Sequence, residues 1–136
     1  MFEASCLCGG VRLRFTEIRG SRVLCHCRRC QKSTGSAFGA NANVPRDGLQ
    51  IVAGEALLSS YQSSPGKRRR FCSRCGAELF AELSRDPTMV RIRLGTLDTP
   101  YAEPHAGHAF VAEKAAWDTI CDPVPQHDGR APDGGR

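Results

Sequence analysis

Aromatic residues are scarce in this 136-residue chain: one Trp, two Tyr and six Phe make up 7% of it. Single-stranded nucleic acid is gripped by aromatic platforms set along a basic track. The strongest run of positive charge, residues 67–70 (Lys-Arg-Arg-Arg), has few aromatics interleaved with it. Nucleic acid is therefore not the expected partner. Long apolar runs are missing too, which excludes a helix that crosses a bilayer, so no membrane association is expected. The first residues, MFEASCLCGG, have neither a basic nor an apolar leader segment, so no secretory signal is read there. Nothing marks an internal repeat or a domain boundary. There is no glycine-rich phosphate loop either, because Gly9-Gly10 belongs to a cysteine motif. The expectation is a small cytoplasmic protein with one domain over residues 1–122. Residues 123–136 are rich in Pro, Gly and Asp and nearly empty of large apolar side chains. They are expected to form a disordered tail, since they bury too little to offset their ordering entropy.

What the chain does have is cysteine. Eight cysteines in a reducing compartment point to metal or redox chemistry rather than to disulfides. The net charge of +5 permits an anionic ligand without demanding one.

Seven of the eight cysteines fall into three motifs: Cys6-Leu7-Cys8-Gly9, Cys25-His26-Cys27-Arg28-Arg29-Cys30 and Cys72-Ser73-Arg74-Cys75-Gly76. The first and third each offer two thiolates and are followed at once by glycine, which lets the chain leave the metal at unusual dihedrals. Tetrahedral zinc holds sulfur at about 2.3 Å, so two such pairs make a closed four-cysteine site that contributes directly to folding. Cys6, Cys8, Cys72 and Cys75 are the expected ligands of a structural zinc.

The middle motif supplies only three cysteines. If residues 25–27 are extended, Cys25 and Cys27 share one face and His26 faces the other. His26 is then a poor fourth ligand, and Cys121, beside Asp122-Pro123, is a weaker candidate still. Three ligands and one open position mark a reactive zinc rather than a closed one. Such an ion can bind a small thiol and lower its pKa, or polarise a carbonyl. A second structural zinc and an iron–sulfur cluster are the alternatives for this motif.

Beyond the cysteines the signals favour short strands. Val11, Leu13 and Phe15 alternate with Arg12 and Arg14, and Val90, Ile92 and Leu94 alternate with Arg91 and Arg93. Weaker strand candidates lie at residues 49–52, 56–61, 78–83 and 108–111. One short helical turn is expected to start near Arg28 and to stop before Gly35.

The segments SCLCGGV (5–11), CHCRRCQKSTGSAF (25–38), FCSRCGAELF (71–80) and HAFVAEKAAW (108–117) come in an order that resembles the glutathione-dependent formaldehyde-activating enzyme family, which includes centromere protein V. The resemblance covers about residues 4–125. It implies a mainly β, Mss4-like (β-tent) zinc fold of short antiparallel strands with zinc knuckles. It also implies two zinc ions per chain. Cys6, Cys8, Cys72 and Cys75 would hold the structural one, and Cys25, Cys27 and Cys30 the catalytic one. The activity it implies is that of a carbon–sulfur lyase, written in the direction that joins glutathione to formaldehyde. The partners expected on this basis are a small thiol and an aldehyde. A non-enzymatic module that binds protein or nucleic acid, and a glutathione carrier, are the competing readings.

Gln31 and Lys32, flanking the open motif, are the candidate substrate contacts, with Ser33, Thr34 and Ser36 more useful for capping. The basic run at 67–70 could meet the carboxylates of a glutathione-like tripeptide, although an ordinary solvated strand is the stronger expectation. His105 and His108 are candidate bases that weigh more as hydrogen-bonded structural residues. Trp117 is expected to pack in the core or, failing that, to wall a ligand pocket.

Overall fold

The computed structural model describes residues 1–132. The chain folds into two compact units, each assembled from two separate stretches. The first takes Met1–Arg19 and Asn43–Ala102; the second takes Gly20–Ala42 and the stretch from Glu103 onward. Neither is continuous in sequence, so no compositional boundary separates them.

The first unit is built mainly of antiparallel strands, with short 3-10 turns at Arg46–Gly48, Glu55–Leu57 and Leu94–Thr96. Strands β1 (Phe2–Ser5) and β2 (Arg12–Phe15) pair with β5 (Gln50–Ala53) in the order β1-β2-β5. The period-two pattern of β2 works as expected: Leu13 and Phe15 are fully buried while Arg12 is exposed. The Phe2 ring stacks on Phe15 at 5.3 Å, a cross-strand aromatic pair fixed by the register Phe2↔Phe15. A second antiparallel run joins β6 (Leu58–Ser64), β7 (Lys67–Cys72), β8 (Glu78–Leu83) and β9 (Met89–Arg93), each paired with the next. Leu79, Val90 and Ile92 fill the core between these strands. The turn signal Ser64-Pro65-Gly66 lies between β6 and β7, with Gly66 at φ +74°.

The sequence pattern misleads at the basic positions of β7 and β9. Arg91 and Arg93, expected to face solvent, are only 7% and 6% exposed, and Arg69 is 4% exposed. Arg93 and Arg69 share Glu78, whose Oε1 lies 2.8 Å from Arg93 Nη2 and 3.3 Å from Arg69 Nη1, while Arg91 Nη1 lies 3.9 Å from Asp86 Oδ2. A buried guanidinium is tolerated when a carboxylate is buried with it. Arg70 lies over the Phe80 ring and bonds to Glu82. Two of the four cations in the basic run, Arg69 and Arg70, are thus paired with carboxylates of the neighbouring strand, and Arg68 donates to Ser60 Oγ. Arg68 and Lys67 also line a cavity of about 300 Å³ with Arg46, Gln62, Glu82 and Ser84, none of them a cysteine.

The second unit contains β3 (Arg19–Cys25), the helix α1 (Arg28–Thr34) and β10 (Gly107–Ala109). The strand β4 (Gly39–Pro45) carries the chain from this unit into the first. The helix ends as expected, with Gly35 in the left-handed region at φ +66° and its amide donating to Gln31 O. β10 runs parallel to β3 in the register His108↔Leu24 and Ala109↔Cys25.

Residues 123–132 are not a disordered tail. Their backbone follows β10: the His108 amide donates to Pro125 O, His127 to His108 O and Phe110 to Gly129 O. Ala131 is buried with Val23 and Ala109. Backbone pairing supplies here the order that apolar burial could not, which composition alone does not reveal. Residues 133–136 of the expected tail lie outside the described residues. Among the described residues no helix is long and apolar enough to cross a membrane.

Candidate metal centres

Two groups of thiols converge, and they are the two that the motif spacing singles out. Cys6, Cys8, Cys72 and Cys75 bring their sulfurs within 4.8 Å of one another in the first unit. Cys6 and Cys8 are 3.6 Å apart, and Cys8 and Cys72 are 3.9 Å apart. Four sulfurs at about 2.3 Å around one tetrahedral ion sit about 3.8 Å from each other. The cluster is therefore spaced for a metal and not for a disulfide, whose sulfurs lie about 2.05 Å apart.

Local backbone builds this geometry. Cys6 and Cys8 sit in the turn between β1 and β2, where the Cys6 amide donates to Val11 O and the Val11 amide donates to Cys6 Sγ at 3.2 Å. Cys72 and Cys75 form the matching turn between β7 and β8, with the Gly76 amide donating to Cys72 O. Gly9 and Gly76 take φ of +74° and +79°, the conformations that the glycines after each pair are needed for. Hydrogen bonds from the Ala77 and Cys8 amides pull the Cys75 thiol down to about 6, so one sulfur of the set gives up its proton near neutral pH.

The second group, Cys25, Cys27 and Cys30, lies in the other unit with all three thiols buried and within 4.8 Å of one another. Cys25 ends β3. Cys27 caps α1 by accepting from the Cys30 amide at 3.3 Å, and Cys30 lies in the first turn. The capping bond replaces the usual Ser or Asp with a sulfur, which is an electron-rich acceptor for that amide. The neighbouring Cys27 and Cys30 thiols, together with burial, push the Cys25 thiol up. Three sulfurs crowded in a buried place resist ionising together unless a cation joins them. That donor chemistry fits a soft or borderline metal.

His26 does not join the three thiols. It is fully buried and its Nε2 faces His108 Nδ1 at 2.8 Å, as the alternation of side chains along an extended segment requires. Burial, followed by the nearby His108, holds its imidazole below the usual range, so the ring is neutral at pH 7. Cys121 is exposed and donates to Thr119 O at 3.7 Å, apart from both groups.

The flanking residues divide. Gln31 is buried, and its Nε2 donates to His26 O at 2.7 Å and Glu113 O at 2.9 Å while its Oε1 accepts from Arg28. Both hydrogens of its amide are thus spent within the protein, on holding the helix in place. Lys32 is exposed in the last turn of α1. Ser33 and Thr34 donate to Cys30 O, the helix-end role anticipated for them. Trp117 is 73% exposed, so it does not belong to the core; it sits in a turn and not on a strand.

Two features were not visible in the sequence. Phe110 is the one non-glycine residue with positive φ among the described residues, at φ 55° and ψ 41°. Its ring packs on Cys25, Cys27 and Cys30 and on the Val23–Ala109 cluster. A strained residue lying against a cluster of functional side chains is where such strain is usually retained. The other feature is a network in which His105 Nε2 and His108 Nε2 both meet the Asp122 carboxylate, at 2.9 and 3.0 Å. Hydrogen bonds from His105 and then His108 hold the Asp122 carboxyl down at about 2. Only the His residues carried a signal, since Asp122 drew notice merely as the neighbour of Cys121.

Comparison with known proteins follows the same motifs. Residues 1–113 match the profile described as "Glutathione-dependent formaldehyde-activating enzyme". A Halomonas elongata protein provisionally named as such an enzyme is 31% identical over 126 residues, covering 86% of this chain and 79% of its own length. A Penicillium rubens protein with the same provisional name is 34% identical over 62 residues, and the chain spans 32% of that protein's length. A crystal structure of a Rhodobacter sphaeroides protein superposes with a TM-score of 0.63 at 20% identity, covering 74% of this chain and 91% of that one, and so shares the mainly β fold.

Proposed function

Starting from a chain that belongs to the glutathione-dependent formaldehyde-activating enzyme family, we propose that it joins a small thiol, in the first instance glutathione, to formaldehyde at the Cys25–Cys27–Cys30 centre, or releases it. The observation that carries this reading is the count of donors. Three thiols converge there, and no fourth His, Cys, Asp or Glu joins them among the described residues. Zinc held by those three thiolates would supply a free position at which an incoming thiol binds and loses its proton near neutral pH.

The chain's own residues then do the rest. Cys25, Cys27 and Cys30 are held in place by β3 and by the capping bond of α1, so the three sulfurs are positioned before any ion or thiol arrives. Phe110 covers the thiols with an apolar ring, which lowers the local dielectric and strengthens charge interactions there. In the addition, the thiolate sulfur forms a bond to the formaldehyde carbon, the carbonyl π pair moves to oxygen, and that oxygen takes a proton from water. The reverse direction breaks the same carbon–sulfur bond. Lys32, exposed on α1, is the remaining candidate for contact with a glutathione carboxylate. Cys6, Cys8, Cys72 and Cys75 hold the second, structural zinc, and a reducing compartment such as the cytoplasm suits all seven thiols.

The test is formation of S-hydroxymethylglutathione by the chain carrying two zinc ions, followed by NMR against the uncatalysed background. Acceleration that disappears in Cys27→Ser, with one zinc lost per chain, supports the reading. Glutathione binding without acceleration would make the protein a carrier. One zinc per chain in folded wild type would remove the reactive centre altogether.

A further inference from the structure

The His105, His108 and Asp122 cluster takes no part in the chemistry just described, yet it has the form of a ligand set. Its three donors lie within 4.8 Å of one another. We propose that it is a third cation site, which binds a first-row divalent transition ion of the zinc and cobalt class through His105 Nε2, His108 Nε2 and the Asp122 carboxylate.

Spacing comes first. Imidazole nitrogen and carboxylate oxygen bind such ions at about 2.0–2.2 Å, which places neighbouring donors about 3.3 Å apart around a tetrahedron. The His105 and His108 nitrogens stand 2.9 and 3.0 Å from the carboxylate oxygens. Rotations that open each contact by a few tenths of an ångström are enough to seat an ion between them. The rings stand nearly edge to face, centroids 5.1 Å apart at 72°, so they do not stack across the position the ion needs.

The donor chemistry then selects the ion. Two imidazoles and one carboxylate suit zinc, cobalt, nickel or iron, whereas magnesium and calcium take mainly oxygen. An aspartate that is ionised at neutral pH supplies one of the two charges needed for balance.

The ligands are also oriented from behind. The Val124 amide donates to Asp122 Oδ1 at 3.1 Å, and His108 Nδ1 meets His26 Nε2 at 2.8 Å. Metal-bound imidazoles characteristically have the other ring nitrogen engaged in this way. His108 is 3% exposed, but His105 and Asp122 are 29% and 30% exposed, which leaves an entry for the ion and room for water to complete its shell. The ion would pin the C-terminal segment, which carries Asp122, to the approach and edge of β10.

The experiment uses untagged full-length protein with both thiolate sites filled by zinc, titrated with Co²⁺ and followed by visible absorption and equilibrium dialysis. Expected is one further equivalent, with d–d bands but without the sulfur-to-cobalt charge transfer that would report exchange into a thiolate site. His105→Ala and Asp122→Asn should each remove that equivalent while the two zinc ions stay. Should either variant fail to fold, paramagnetic broadening of the His105 and His108 ring signals in the wild type decides the matter. The proposal is overturned if zinc-replete wild type takes up no further Co²⁺, if the extra equivalent survives in both variants, or if those ring signals stay sharp.

Discussion

The two thiol clusters use the same residue in opposite surroundings. The four-sulfur cluster is drawn from two turns far apart in sequence and lies partly in the open, with Cys8 exposed and Cys75 half-buried. The three-sulfur cluster comes from one continuous segment and is buried completely. A metal enclosed by four sulfurs has no reactive position to protect, so it can sit near solvent. A metal with a vacancy benefits from a dry setting, where charge interactions are stronger and competing water is fewer. The number of donors, and not their exposure, separates a staple from a reactive centre.

The comparison breaks most sharply at the cysteines themselves. Cys72→Ser should leave the first unit without its metal and the protein largely unfolded, because for such sites metal binding is folding free energy, of the order of 10 kcal/mol. Cys27→Ser should lose one zinc and all turnover but keep a folded chain. Zinc content, circular dichroism and formaldehyde consumption of the two variants check this contrast; equal effects on folding would erase the proposed division of labour.

A second, smaller effect concerns the strand that leaves the four-sulfur turn. Glu78→Gln strips the shared carboxylate from Arg69 and Arg93, all three side chains being no more than 9% exposed. Leaving buried charge uncompensated costs about 3–5 kcal/mol. Urea unfolding of the zinc-replete protein measures it, and a loss under about 1 kcal/mol would show that solvent reaches the pair.

Phe110 sharpens the other side of the comparison. In ordinary backbone, Gly is less stable than Ala by about 0.5–1 kcal/mol. At φ 55° the order should reverse, with Phe110→Gly more stable than Phe110→Ala by about 1 kcal/mol. Both should lose the ring that covers the three thiols and should raise their rate of alkylation after metal removal. If Ala proves the better replacement, the backbone there is not held as described.

These residues also show what was legible beforehand. The two thiol clusters were readable because metal-binding cysteines come in short, recognisable spacings, and β2 and α1 were readable from alternation and from Gly35. The basic run of β7 was not, since the carboxylates that pair with Arg69 and Arg70 lie on another strand, at Glu78 and Glu82, and reach them off the direct register, which sets Arg69 opposite Ala81 and Arg70 opposite Phe80. Gln31 looked like a ligand contact because a polar residue beside a metal motif carries no mark of whether its amide is already spent. The ordered C-terminal segment depends on backbone pairing with β10, which leaves no periodic trace in side chains, and the Asp122 network joins side chains 14 and 17 residues apart.

The smallest expected effect is at Glu82. Burial pushes its carboxyl up, but hydrogen bonds from Arg70 and Arg46 outweigh this and hold it below its ordinary 4.5. A carboxyl depressed on folding stabilises above its unfolded pKa and loses that contribution as pH falls through the folded value. Glu82→Gln should therefore cost about 0.5–1 kcal/mol at pH 7, and the difference from wild type should close as the pH falls below the ordinary 4.5 and through the depressed folded value. A gap that is constant with pH would mean packing, not charge, is at stake.

The most direct test of the vacancy is X-ray absorption at the zinc edge of protein carrying two zinc ions, with and without glutathione. One four-sulfur and one three-sulfur site average about 3.5 sulfurs per zinc, rising to about 4 when a thiol fills the open position. About 4 sulfurs per zinc before glutathione is added, or no rise afterwards, would contradict the account.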